Sequence, residues 1–100
     1  MARLLVVDDA SSMRELLEFY FTDKGHEVSV AADVGSALEL FAERDHDVVI
    51  TDLRLGRGSG MDVLRQVKAK RPAAEVIVLT DIAPTGLGLL ARMTACRGSA

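Results

Sequence analysis

The sequence predicts an α/β domain built on a doubly wound parallel sheet. Three observations carry this expectation. Short aliphatic runs recur at residues 4–7, 48–50 and 76–79. They are nearly continuous in apolar character, as strands buried on both faces are, and do not alternate with polar residues. Between them lie segments with helical spacing of apolar side chains, so strand and helix alternate along the chain. With 100 residues, 49% of them apolar and 27% charged, the chain has the composition of one globular domain with a single core.

The first run, residues 4–7, ends in Asp8 and Asp9 and predicts a strand heading toward solvent at its carboxyl end. Ser12 and Glu15 stand at capping-box spacing. Behind them Met13, Leu16, Leu17, Tyr20 and Phe21 predict an inward helical face closed by Gly25. Residues 28–32 alternate enough to predict a second, shorter strand at a sheet edge. Asp33 is placed to cap a helix whose face is Val34, Ala37, Leu38 and Phe41.

Residues 48–50 form a third strand that ends at Thr51 and Asp52. Gly56, Gly58 and Gly60 mark a loop, with Ser59 placed to cap a helix that turns Met61, Leu64 and Val67 inward. Lys68, Lys70 and Arg71 suit the negative end of that helix, and Pro72 stops it. Residues 76–79 are a fourth strand ending at Thr80. Beyond it Pro84, Gly86 and Gly88 disfavour regular structure, although Leu87, Leu90, Ala91 and Thr94 keep the spacing of one weak helix; residues 97–100 read as a frayed end.

Bulk properties narrow the functional classes. A formal net charge of −3 without a basic run argues against a direct nucleic-acid or membrane-surface role. No apolar stretch approaches the ~20 residues that span a bilayer. Cys96 is the sole cysteine, which rules out an intramolecular disulfide, and acids interrupt the apolar start, unlike a signal peptide. A cytoplasmic location is expected. His26 and His46 follow helix ends in polar surroundings and read as solvated.

Right-handed crossovers bring the carboxyl ends of parallel strands to one rim, where ligands bind. On that rim the sequence places Asp8, Asp9, Asp52 and the hydroxyl of Thr80. Two like charges ~5 Å apart repel by roughly 3 kcal/mol at an effective dielectric of ~20, so such clustering calls for a cation. All-oxygen donors favour magnesium, manganese or calcium.

The segments VVDDASSMRELL, DVVITDLRLGRGSGMDVL and VIVLT resemble those of bacterial response-regulator receiver domains, in the same order and on the same element ends. The resemblance covers residues 4–80 of a single domain spanning 1–100 and leaves 81–100 divergent. It implies a flavodoxin-like sheet of strand order 2-1-3-4. It further implies that Asp52 accepts a phosphoryl group, that Asp8, Asp9, Asp52 and the backbone carbonyl of Arg54 hold Mg2+, and that Thr80 is a switch hydroxyl. The implied partners are a sensor histidine kinase or phosphotransfer protein, with a homodimer or an effector protein downstream. Such a module signals and is not expected to be an enzyme.

The sequence departs from that pattern in its last fifth. No fifth strand, final helix or lysine that would reach the phosphoryl group can be found; the last lysine is Lys70, and the tail offers only Arg92 and Arg97. Asp81 puts a charge after the switch threonine, either facing the site or else capping the weak helix or pointing to water, and Gly56 stands where the family often has proline. These departures leave a second reading open, a degenerate, non-phosphorylated receiver acting as a protein-binding module. A nucleotide or flavin binder is disfavoured: Met61 occupies the third glycine position of a G-x-G-x-x-G loop.

Overall fold

The aliphatic runs become strands and the segments between them helices in the computed structural model of the protein, which describes residues 1–79. In chain order the elements are β1 (Arg3–Val7), α1 (Ser11–Asp23), β2 (Glu27–Ala31), α2 (Val34–Glu43), β3 (Val48–Asp52), β4 (Arg54–Leu55), β5 (Gly58–Ser59), α3 (Gly60–Lys70) and β6 (Glu75–Leu79). Four strands pair in parallel in the order β2-β1-β3-β6. This is the expected 2-1-3-4 order, with β6 as the fourth strand. β2 lies at the edge as expected but is no shorter than β1, at five residues each. Thr80, Asp81, Arg92, Cys96, Arg97, the weak helix and the expected loss of a fifth strand and last helix all lie outside the described residues.

The core sits between the sheet and the α2–α3 pair. Leu5 and Val7 of β1, Val49 of β3 and Val76 and Val78 of β6 meet Ala37, Phe41, Val63, Leu64 and Val67 there. The alternate residues Leu4, Val6 and Ile50 are also buried, on the opposite face of the sheet. The anticipated faces of α2 and α3 therefore turn inward. Their starts form as read: Asp33 accepts from the Ser36 amide at 2.8 Å, and Ser59 makes a reciprocal capping box with Asp62.

The helix α1 departs from expectation at its start and on its face. Its N-cap is Ala10, with no side-chain cap, so Ser12 lies inside the first turn and cannot form the expected box with Glu15. The chain enters through a turn in which Asp8 Oδ1 accepts from the Ala10 amide at 2.9 Å, and this turn sets the earlier start. Only Leu17 and Phe21 of the expected face are half-buried. Met13, Leu16 and Tyr20 are exposed, as is Phe19 at 73%. Gly25, at φ 91°, closes the helix as read.

His46 is a second correction. It is buried rather than solvated, 1% exposed, with its ring stacked 6.0 Å from that of Phe41 and Nε2 3.1 Å from Ser29 Oγ. The Arg71 guanidinium lies 4.6 Å over the Phe41 ring, donates to the His46 carbonyl and pairs with Asp45 at 3.0 Å. Charged neighbours Arg44, Asp45 and Asp47 disguise this inward position in the sequence. Burial, then Arg71, Arg44 and Arg3, hold the imidazole below its ordinary value, with Asp47 opposing. His26 is half-buried, and its Nδ1 accepts from the Ala2 amide at 3.0 Å. Among the described residues no helix is long and apolar enough to cross a membrane.

Candidate metal centre

The carboxyl ends of β1 and β3 are adjacent because these strands pair directly, Val7 opposite Thr51. The residues that follow or end them are Asp8 and Asp9 on one side and Asp52 on the other. One carboxylate oxygen from each lies within 4.8 Å of the others. The three acids singled out in the sequence thus come together at the rim. Asp8 is buried, Asp52 half-buried and Asp9 exposed. Arg54, two residues beyond Asp52, opens β4 with its side chain exposed.

The backbone around these acids is held tightly. The Asp8 amide donates to the Ala31 carbonyl at 3.1 Å, tying the end of β1 to β2. Beyond Asp52, the Leu53 amide donates to the Leu79 carbonyl at 3.0 Å and the Gly60 amide to the Leu53 carbonyl at 2.7 Å. Gly60 has no alternative here: an added Cβ would stand 2.3 Å from the Asp52 carbonyl oxygen and 3.1 Å from Leu53 Cα. Between Asp52 and α3 the loop pairs with itself as the β4–β5 hairpin, Leu55 opposite Gly58. Leu55 pins the hairpin to the core at 2% exposure. A Cβ on Gly58 would meet Val34 Cγ2 at 2.6 Å, so α2 and the hairpin interlock.

Sequence reasoning marked the three glycines as a loop but missed the hairpin, because two-residue strands leave no periodicity to read. It also missed Arg14, whose Nη1 donates to the Asp8 carbonyl at 2.8 Å. Nothing local to Arg14 signals that contact. A groove of about 640 Å³ borders the centre between α2 and the hairpin, lined by Asp9, Asp33, Val34, Leu55, Arg57 and Asp62 among others.

Electrostatically the cluster favours a cation. Burial, then the neighbouring Asp8 and to a lesser extent Asp9, raises the Asp52 carboxyl above its ordinary value; the backbone amides of Leu53 and Arg54 oppose this. At the cluster's 4.8 Å limit, two carboxylates repel by roughly 3 kcal/mol at an effective dielectric of ~20. A divalent ion reverses the sign of that interaction, and an all-carboxylate donor set is hard enough for Mg2+. The residues present fit such an ion.

Sheet order and rim together define a doubly wound α/β domain with an acidic, cation-suited centre at the carboxyl ends of its strands. Comparison with known proteins gives the family. Residues 4–88 match the model of the response regulator receiver domain, and the chain belongs to that family. It is 33% identical over 78 residues to the alginate biosynthesis transcriptional regulatory protein AlgB of Pseudomonas aeruginosa, covering 78% of this chain and 17% of AlgB. The chain thus spans about a sixth of that relative's length. A response regulator receiver domain from Clostridium thermocellum superposes with a TM-score of 0.76 at 39% identity, over 80% of this chain and 65% of that one. The response regulator TrrA of Thermotoga maritima, solved in complex with Mg(2+)-BeF, gives 0.77 at 33%, over 88% and 78%.

Proposed function

We propose that this receiver domain takes a phosphoryl group onto Asp52 in a histidine-to-aspartate relay, with Mg2+ held by Asp8, Asp9, Asp52 and the Arg54 carbonyl. The observation that carries the reading is the meeting of three carboxylates within 4.8 Å at the carboxyl rim of the sheet. When bound, the ion screens the incoming phosphoryl oxygens and offsets the negative charge of the acids. The rest of the chemistry belongs to the chain. Asp52, fixed by the Leu53 and Gly60 backbone bonds, presents an oxygen to the phosphorus of a phosphohistidine. The O–P bond forms as the P–N bond breaks, the electron pair leaving with the imidazole nitrogen, which picks up a proton. Positioning and charge stabilisation supply most of the rate.

The partners are then a sensor histidine kinase or phosphotransfer protein upstream, and an effector protein or a second receiver downstream. We assign the chain to the cytoplasm, as a signalling module rather than an enzyme. Thr80 is assigned the role of the switch hydroxyl. A second reading, a module that docks a kinase without accepting phosphoryl, is favoured by the apolar side chains that α1 exposes, Phe19 and Leu16 above all.

Hydroxylamine trapping separates the two. After incubation with Mg2+ and phosphoramidate, an acyl phosphate converts to a hydroxamate that peptide mapping locates. Modification at Asp52 that requires Mg2+ supports the phosphoacceptor. A folded, kinase-binding chain without it supports the docking module.

A further inference from the structure

We propose that Arg14 is a positioning residue for the acidic centre: its guanidinium sets the peptide plane that aims Asp9 at the cation. This rests on the metal-centre reading above and adds a residue to it.

The Asp8 carbonyl and the Asp9 amide belong to one planar peptide unit, so fixing the carbonyl fixes the amide from which Asp9 departs; with the plane after Asp9 also held, little rotation is left about the backbone bonds that direct its side chain. Among the described residues three contacts define the turn at this point. The Asp8 amide donates to the Ala31 carbonyl at 3.1 Å, and Asp8 Oδ1 accepts from the Ala10 amide at 2.9 Å. The third is Arg14 Nη1, donating to the Asp8 carbonyl at 2.8 Å. The first two hold the plane before Asp8 and the one after Asp9. Of these, only the third acts on the plane between the two acids.

The start of α1 has little else to secure it. Its N-cap makes no side-chain hydrogen bond, its first turn carries no acid, and none of its residues is fully buried. The Arg14 bond is charge-assisted and partly shielded, hence among the stronger kinds. Lysine would keep that charge but not the planar fork that fixes the angle of approach.

The test measures Mn2+ binding from the free-ion electron paramagnetic resonance signal, alongside urea unfolding of the metal-free proteins. Residues that hold a metal's ligands in place typically set its affinity by about 10–100-fold. We therefore expect Arg14→Ala to weaken Mn2+ binding by at least about tenfold, Arg14→Lys to recover part of the loss, and added methylguanidinium to restore binding to Arg14→Ala. The loss should exceed any change in metal-free stability. Tight Mn2+ binding by Arg14→Ala, or a loss that neither lysine nor methylguanidinium repairs, overturns the role of Arg14 alone. No Mn2+ binding by the unmutated chain overturns the metal centre and this inference with it.

Discussion

Replacing Gly60 by alanine strikes the point where the Asp52 end of β3 meets α3. The new Cβ would stand 2.3 Å from the Asp52 carbonyl oxygen, whereas ordinary contact begins at 3.4 Å, so something must move by 3.4 − 2.3 = 1.1 Å. The opposing atoms are backbone, 3.1 Å to Leu53 Cα included, and no flexible side chain can yield. Moving them also stretches the 2.7 Å bond from the Gly60 amide to the Leu53 carbonyl. Overpacking of this kind costs about 1–3 kcal/mol. For a domain of this size that lowers Tm by on the order of 5–20 °C. Asp52 shifts with its carbonyl, so Mg2+ affinity should fall as well. Circular-dichroism melting with and without Mg2+ reads both effects. Gly35→Ala is the control: it lies within α2, its nearest neighbour would be Asp33 Oδ1 at 3.6 Å, and alanine there should stabilise by about 0.5–1 kcal/mol. A Gly60→Ala protein with unchanged Tm and unchanged Mg2+ affinity would refute this reasoning.

Other perturbations have equally definite outcomes. Gly58→Ala should destabilise by driving a Cβ to 2.6 Å from Val34 Cγ2, and Val34→Ala added to it should recover part of the loss, a coupling of about 0.5–3 kcal/mol in a double-mutant cycle by urea unfolding. The folded chain holds His46 below its ordinary value of 6.5 while the unfolded chain does not, so the unfolded state takes up the proton first as pH falls. Stability contributed by neutral His46 is complete above pH 6.5 and declines as pH drops from there toward the lowered folded value, by at most about 1.4 kcal/mol per pH unit. His46→Phe should flatten that slope in urea titrations across the window. The Asp52 carboxyl is raised in the folded chain by burial and then by Asp8, so its ionisation opposes folding as pH climbs through the raised value, and the penalty is present at neutrality. Asp52→Asn should therefore unfold at higher urea than the unmutated chain in EDTA, and Mg2+ should narrow or reverse the difference.

The fold was largely legible because its signals are local and redundant. Continuous aliphatic runs at β1, β3 and β6 leave few options but buried parallel strands, and Asp33 and Ser59 announce their helices by side-chain chemistry that needs no tertiary partner. The acids at the rim were legible for a related reason: each ends or directly follows an aliphatic run, and parallel topology carries all such ends to one edge. What escaped depends on contacts between distant segments. His46 has charged neighbours in sequence, yet its burial is set by Phe41, Ser29 and Arg71. Arg14 looks like any charged helical residue until its guanidinium is seen on the Asp8 carbonyl. The exposure of Leu16 and Tyr20 escaped because helical spacing names an apolar side without saying which part of it a neighbour covers.

The central claim is that Asp52 accepts a phosphoryl group, and intact-mass analysis of the purified chain tests it most directly. The unmutated protein and Asp52→Ala are incubated with a small-molecule phosphodonor, each with Mg2+ and with EDTA. We expect a single labile phosphoryl adduct on the unmutated chain with Mg2+ and none in the other three samples. An adduct of equal yield on Asp52→Ala, or no adduct on a demonstrably folded, Mg2+-binding chain, would contradict the assignment.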